Sequence, residues 1–263
     1  MERNVKINPE YKKYISEEIL KSGYVLIDKK ARKLLGVGNM LNGDFRDSDI
    51  RFFIESWGFL DLDRFMHDNG KYRYRKHAVF VSKRNTFEVE RKENIPHFQK
   101  KQYNSVNGDV KRWFGKIDRK TIYNNFFSFL LTHSLNSFEE IEKEKPDSNW
   151  DEWFIEAHQF RIIASRNKGG LPTPEGVHKD GVSYVFIFSV RREKIIGGVS
   201  SIYSNDKKLM SSSTLMEGDC IYLDDKKVMH GVSEISVEKD YEEGYRDVLV
   251  ITFRKQNKEQ KNV

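Results

Sequence analysis

The stretch Leu171-Pro-Thr-Pro-Glu-Gly-Val-His-Lys-Asp180 decides how the rest of the chain is read. Its two prolines and Gly176 mark a turn, and His178-Lys-Asp180 follows at once. On an extended segment, residues i and i+2 point to one face, so an imidazole and a carboxylate stand side by side. Such a pair offers two adjacent ligands to a divalent metal, although a lone His-x-Asp is more often a surface hydrogen bond. His230 lies fifty residues beyond Asp180, in Val228-Met-His-Gly-Val232, behind a strand-like run. If the intervening strands fold back, His230 closes the triangle. Two histidines and one carboxylate leave other metal positions open, a set that suits non-haem Fe(II) in enzymes that use dioxygen.

Sixteen residues further on, Arg246 sits in Gly244-Tyr-Arg-Asp-Val-Leu-Val-Ile-Thr-Phe253. Alternation places Arg246, Val248, Val250 and Thr252 on one face of that strand. A guanidinium on an apolar inner face needs an anion, because an unpaired buried charge is costly. Its planar fork fits a carboxylate in bidentate fashion. The plainer alternative is a salt bridge to Asp247 or Glu243, and alternation turns Asp247 to the opposite face.

These segments, with His158-Gln-Phe-Arg161, Gly197-Gly198, Leu223-Asp-Asp225 and Tyr245-Arg-Asp-Val-Leu-Val250 in the same order, resemble the iron(II)/2-oxoglutarate-dependent dioxygenases. Within them the chain is similar to the bacterial free amino-acid hydroxylase group that includes isoleucine 4-hydroxylase. The match is close from about Glu156 to Phe253 and thinner upstream, where Tyr72-Arg-Tyr-Arg75 and Gln102-Tyr-Asn104 also fit. The resemblance implies an α+β chain with a double-stranded β-helix core (jelly-roll, cupin-like) and flanking helices. It implies Fe(II) on His178, Asp180 and His230 as the catalytic centre, with 2-oxoglutarate and O2 as co-substrates and Arg246 gripping a 2-oxoglutarate carboxylate. The implied reaction is hydroxylation of a free L-amino acid or close derivative, with succinate and CO2 as co-products. Related halogenases carry a small residue where this chain has Asp180, so the carboxylate implies hydroxylation. Two alternatives stand beside this one: the same chemistry on a peptide or natural-product intermediate, and a non-enzymatic cupin-like metal-binding protein. Arg246 separates the latter, since a structural metal has no need of an inward arginine.

Candidate substrate contacts follow. In Tyr72-Arg-Tyr-Arg-Lys-His77, alternation puts Arg73 and Arg75 on one face. This is either a solvated basic strand or, as the resemblance favours, the source of an arginine for a substrate carboxylate. Residues 153–165 read as a strand with Gln159, Arg161 and Ile163 on one face and His158, Phe160 and Ile162 on the other. Either Arg161 or His158 is expected to line the pocket. Glu175 is a turn residue that could also cover the site or meet a substrate amine. His77 reads as structural, and His133 as a helix C-terminal residue.

The 263 residues contain 18 Phe and 12 Tyr, which argues against disorder. Forty-six Lys and Arg are scattered among forty Asp and Glu, a net of +6 that favours a solvated surface over a nucleic-acid groove. The single cysteine, Cys220, excludes an intrachain disulfide and fits a reducing cytoplasm. No apolar run is long enough for a transmembrane helix. The expected partner is a small molecule, with neither nucleic acid nor membrane; oligomeric state is left open. A single dioxygenase domain is expected over 1–254, with a helical part and early strands over 1–150, the jelly-roll core over 151–254 and a flexible tail over 255–263. A helix starts near Asn8-Pro9 and ends at Gly23, and a short strand, Tyr24-Val-Leu-Ile27, follows. A second helix, capped by Asp47 or Ser48, carries Ile50, Phe53, Ile54 and Trp57. Residues 84–101 read as loop and edge, 121–135 as a buried helix, 139–147 as a charged helix end and linker, and 182–190 as a buried strand.

Overall fold

The computed structural model describes residues 9–257 except 39, 41–44, 67, 87, 94, 104–107 and 147. Asn8, Asn104 and residues 258–263 of the expected tail therefore lie outside the described residues. The first helix, α1 (Pro9–Ser22), buries Tyr11, Ile15 and Ile19, four residues apart and so on one stripe. Gly23 ends it in the left-handed region at φ 84°, and a Cβ there would stand 2.8 Å from the Lys227 side chain. The strand β1 (Tyr24–Ile27) follows, and then a helix that the sequence reading missed, α2 (Lys29–Leu34), capped by the Asp28 carboxylate accepting from the Ala31 N–H at 2.8 Å. In α3 (Asp47–Glu55) the N-cap residue is Arg46, not Asp47 or Ser48. Trp57 falls in the 3-10 turn Ser56–Phe59 beyond the helix.

The remaining elements are β2 (Asp61–Leu62), β3 (Arg73–Lys83), β4 (Glu90–Arg91), β5 (Gly115–Lys116), α4 (Arg119–Ile122), α5 (Asn125–Lys143), β6 (Glu152–Ser165), β7 (Tyr184–Glu193), β8 (Ile195–Gly197), β9 (Val199–Ser204), β10 (Leu209–Thr214), β11 (Cys220–Asp224), β12 (Val228–Val232), β13 (Ile235–Val237) and β14 (Glu243–Gln256). The larger sheet runs β1-β11-β7-β14-β6-β3-β2, with β4 and β5 also on β3. Smaller sheets, β10-β9-β12 and β13-β8, form the opposing layer, to which the His178–His230 and Gly170–Ile235 bridges add. This is the jelly-roll core expected from the resemblance. It also takes strands from the first half of the chain: β3 pairs with β6 along its whole length, from Arg73 opposite Ile162 to Lys83 opposite Glu152. Lys255 and Gln256, expected in the tail, extend β14.

Period-two alternation gives the central strands two different jobs. One face sends Trp153, Ile155 and Ala157 from β6, Phe186 and Phe188 from β7, and Leu249, Ile251 and Phe253 from β14 into the main aromatic core. Phe126, Phe127, Leu130 and Phe138 of α5 pack into that same core. The other face points into an internal cavity, described below.

Two expectations about α5 are corrected. The helix continues to Lys143, inside the segment expected as a charged helix end and linker, but Glu139 and Glu142 there are not solvated. Its acids are buried with partners: the Trp153 indole donates to Glu139 at 2.9 Å, and Lys255 and Lys145 donate to Glu142 at 2.6 and 3.3 Å, with Ser148 and Tyr184 donating as well. His133 is not a C-terminal residue but lies mid-helix, buried, with its ring stacked near Phe129 and Tyr11. Burial pushes its pKa down to about 3.

Burial alone would raise the Glu142 pKa, but the hydrogen bonds from Lys255, Ser148 and Tyr184 and the charge of Lys145 outweigh it and pull it to about 2 from 4.5. A carboxylate depressed in the folded state stabilises above its unfolded pKa, and that contribution is lost as pH falls through the folded pKa. Glu142→Gln should therefore lower the urea midpoint at pH 6 and flatten its decline between pH 4.5 and 2. A parallel decline in both proteins would contradict the assignment.

Candidate active site

His178 and His230 are paired through their backbones. The His178 N–H donates to the His230 carbonyl at 2.9 Å and the His230 N–H returns the bond at 3.0 Å. The pairing sets the two imidazoles side by side, with ring centroids 4.5 Å apart. Asp180 faces both: its Oδ1 is 3.6 Å from His178 Nε2 and its Oδ2 is 3.6 Å from His230 Nε2. One donor atom from each of the three lies within 4.8 Å of the others. His178 Nδ1 donates to the Gly176 carbonyl at 3.0 Å, which turns Nε2 toward Asp180.

The electrostatics of this trio favour a cation. Burial opposes charge on His178, yet the Asp180 carboxylate 3.6 Å away raises the pKa to about 9. Burial likewise works against the Asp180 carboxylate, but His178 and His230 hold it well below the usual range. Burial and the neighbouring His178 push His230 down to about 4, so its imidazole is neutral and able to ligate. A proton on His178 or a divalent metal would satisfy the same charge, and metal binding would release the proton. Asp225 organises the loop behind: it accepts from the N–H groups of Asp180, Gly181 and Val182 at 3.0, 2.8 and 3.1 Å.

Arg246 lines the same cavity with Val248, Val250 and Thr252, the face expected from alternation. Its guanidinium is buried, and neither Nε nor Nη2 has a hydrogen-bond partner among the described residues. Burial, and then Arg192, lower its pKa to about 10. Asp247 is turned away and bound by Arg161 in bidentate fashion, Nε and Nη2 donating at 2.7 and 2.6 Å. That corrects the expectation for Arg161: its charge is spent on the outer face of β6 and it does not line the cavity, whereas His158 does.

Arg73 and Arg75 both line the cavity and are 5% and 3% exposed, which excludes a solvated basic strand. Arg73 donates to Asp63 through Nε and approaches it through Nη2, both at 2.8 Å. Arg75 lies over the rings of Phe114 and Phe160, 3.6 and 4.4 Å from their centroids, and donates to His158 Nδ1 at 2.8 Å. Glu175 also reaches the cavity: its Oε1 is 3.6 Å from His178 Nε2 and its Oε2 is buried without a partner.

The chain thus sets a His-Asp-His donor group beside an inward, unneutralised arginine in one cavity. The family model for 2OG-Fe dioxygenase matches residues 54–252. The chain belongs to the 2OG-Fe dioxygenase family. That family uses Fe(II), 2-oxoglutarate and O2, and the His178–Asp180–His230 group fits such an iron. Among curated proteins the chain is 26% identical over 162 residues to the 3(1)-hydroxy-L-isoleucine 4-dioxygenase of Pantoea ananatis, covering 61% of this chain and 64% of that one. It is 26% identical over 161 residues to the L-isoleucine-4-hydroxylase of Bacillus thuringiensis, covering 60% and 64%. The match thus spans less than two thirds of either relative. In structure, a bsmA homolog from Methylobium petroleophilum superposes with a TM-score of 0.77 at 25% identity over 94% of both chains. IDO from Bacillus thuringiensis gives 0.75 at 18% identity, over 96% of this chain and 99% of that one, and supports the fold.

The cavity also holds residues that the sequence reading did not single out: Glu156, His97, Gln99 and Arg112. Glu156 Oε1 accepts from His77 Nε2 at 3.1 Å and His97 Nδ1 at 2.9 Å. With His158 these form a second cluster of donor groups. Arg75 occupies His158 Nδ1, and the His77 and His158 rings stack 4.7 Å apart, so the cluster makes a hydrogen-bonded wall and not a second metal centre. His77, read as structural, belongs to that wall. Alternation along β6 already placed Glu156 on the same face as His158. His97, Gln99 and Arg112 come from irregular chain, where no periodicity marks an inward residue.

Because Asp225 holds three successive N–H groups around Asp180, Asp225→Ala should weaken Co(II) binding by roughly 10- to 100-fold, as loss of an outer partner of a metal ligand typically does. Arg161→Ala should leave it unchanged. Isothermal titration of both variants checks this, and unaltered affinity in Asp225→Ala would contradict the role of the loop.

Proposed function

We propose that this chain is an Fe(II)/2-oxoglutarate-dependent hydroxylase of a free L-amino acid or close derivative. The observation that carries the reading is the presence, in one cavity, of the His178–Asp180–His230 donor set and Arg246 with two unpartnered guanidinium nitrogens. His178 and His230 would hold the iron through Nε2, and Asp180 through its carboxylate. Arg246 would receive the far carboxylate of 2-oxoglutarate, which supplies the anion its buried charge lacks. When bound, iron, 2-oxoglutarate and O2 supply the oxidation, with succinate and CO2 as co-products and a hydroxylated substrate. The protein's own part is to orient and exclude. Val248 and Val250 share the Arg246 face and keep that wall of the cavity apolar, which excludes water and strengthens the electrostatic interactions there.

The substrate class rests on the rest of the lining. Arg73, Arg75 and His158 make a cationic and hydrogen-bonding end, and Glu175 brings a carboxylate oxygen without a partner. A zwitterion, with a carboxylate and an ammonium on one carbon, supplies the complement of both. The two curated relatives are named for isoleucine and a hydroxylated isoleucine, so branched apolar amino acids head the list of candidates. A non-catalytic cupin-like protein gives no account of Arg246. We place the enzyme in the cytoplasm on its single, buried and unpaired cysteine, Cys220; no helix among the described residues is long and apolar enough to cross a membrane.

Incubation with Fe(II), 2-oxoglutarate, ascorbate and each of the twenty free L-amino acids tests the reading. One acid should gain a single oxygen atom, with matching release of succinate. Glu175→Gln should raise the KM for that acid while leaving 2-oxoglutarate affinity nearly intact. Iron and 2-oxoglutarate bound without oxidation of any acid would contradict the substrate class.

A further inference from the structure

Among the cavity arginines, Arg112 is held in a distinctive way. Arg73 is neutralised by Asp63, and Arg75 is covered by two aromatic rings and bound to His158. Arg246 lies on the far strand β14. Arg112 is 2% exposed, yet no carboxylate comes within 4.0 Å of its guanidinium among the described residues, and its Nε has no partner. Its Nη2 donates to Gln99 Oε1 at 2.9 Å. The other end of that amide reaches the metal trio: Gln99 Nε2 donates to Asp180 Oδ1 and to the Asp180 carbonyl, both at 3.3 Å.

Backbone hydrogen bonds brace this connection. His97 and Arg112 exchange N–H···O bonds at 2.9 Å each, and the Asp109 N–H donates to the Gln99 carbonyl at 2.8 Å. Gln99 and Arg112 thus stand on the two arms of one hairpin-like segment. His97, from the same segment, is anchored to Glu156. A guanidinium that is buried, oriented and not neutralised is a receptor for an anion. An amide that donates to one side and accepts from the other fixes the spacing between that receptor and Asp180.

We propose that Arg112 binds the carboxylate of the substrate, and that Gln99 is a positioning residue that ties this carboxylate site to Asp180. The inference rests on the amino-acid reading above. It moves the principal carboxylate contact from Arg73 and Arg75 to a residue on a different segment. The substrate's reactive carbon is then placed relative to the iron by a chain of two hydrogen-bonded side chains. Arg73 and Arg75 add positive potential and shape, and Glu175 takes the ammonium group.

The test uses Mn(II) in place of iron, with 2-oxoglutarate bound, and calorimetric titration of the twenty L-amino acids and their carboxamides. In the wild type the accepted amino acid should bind well and its amide poorly. Arg112→Ala should weaken the acid by on the order of 30-fold or more and bind acid and amide alike, whereas Arg112→Lys should keep part of the discrimination. Gln99→Ala should weaken both Mn(II) and the amino acid, while Arg112→Ala should leave Mn(II) binding intact. Retained acid-over-amide discrimination in Arg112→Ala would overturn the carboxylate assignment. Unchanged Mn(II) and amino-acid binding in Gln99→Ala would overturn the link. If the wild type binds none of the acids, the amino-acid reading itself fails, and this inference with it.

Discussion

The reciprocal backbone hydrogen bonds between His178 and His230 are the constraint on which the site depends. They join the loop after the Pro172–Pro174 turn to β12, and so make one donor pair out of residues fifty-two positions apart. Close approach of the two segments is what permits it. A Cβ at Gly231 would stand 3.3 Å from the Gly176 carbonyl oxygen and the Val177 Cα, so a larger residue would press the loop away. Once the imidazoles are fixed, Asp180 need only turn inward, and Asp225 secures that turn through three backbone donors.

The second dependence is on strand alternation in the larger sheet. β14 sends Leu249, Ile251 and Phe253 into the aromatic core while Arg246, Val248, Val250 and Thr252 face the cavity. β6 divides in the same way, with Ile155 and Ala157 against Glu156 and His158. The hydrophobic packing of one face therefore fixes the register in which the charged groups of the other are presented. A slip of one residue would place Arg246 in the core and Phe253 in the cavity. The cavity concentrates charge at a desolvation cost, which Asp63 offsets at Arg73, and the two histidines offset at Glu156. Arg246 and Arg112 are the cavity cations without such a partner in the described structure, and they face the places where anionic ligands are expected.

Much of this was legible in the sequence, and for identifiable reasons. The metal trio and Arg246 sit on or beside extended segments, where period two converts spacing directly into a shared face. Alternation also put Arg73 and Arg75 on one face, but the resemblance and not the spacing turned them inward, and His158 stood only as an alternative to Arg161. Arg161 was misplaced because alternation allowed either face of β6, and only the position of Asp247 on the neighbouring strand decides between them. Glu139 and Glu142 read as part of a charged helix end and linker because their charge masks burial that depends on Trp153, Lys145 and Lys255. Gln99 and Arg112 lie in irregular chain whose path is set by tertiary contacts, so no local pattern announced them.

The central claim is that Arg246 provides the anion site for 2-oxoglutarate beside an iron held by His178, Asp180 and His230. Anaerobic titration of the Fe(II)–2-oxoglutarate charge-transfer band in wild type, Arg246→Lys and Arg246→Ala tests it most directly. The account predicts iron retained in all three, 2-oxoglutarate binding weakened in Arg246→Lys, where charge remains but the bidentate fork is lost, and weakened far more in Arg246→Ala. Equal 2-oxoglutarate affinity in wild type and Arg246→Ala would contradict it.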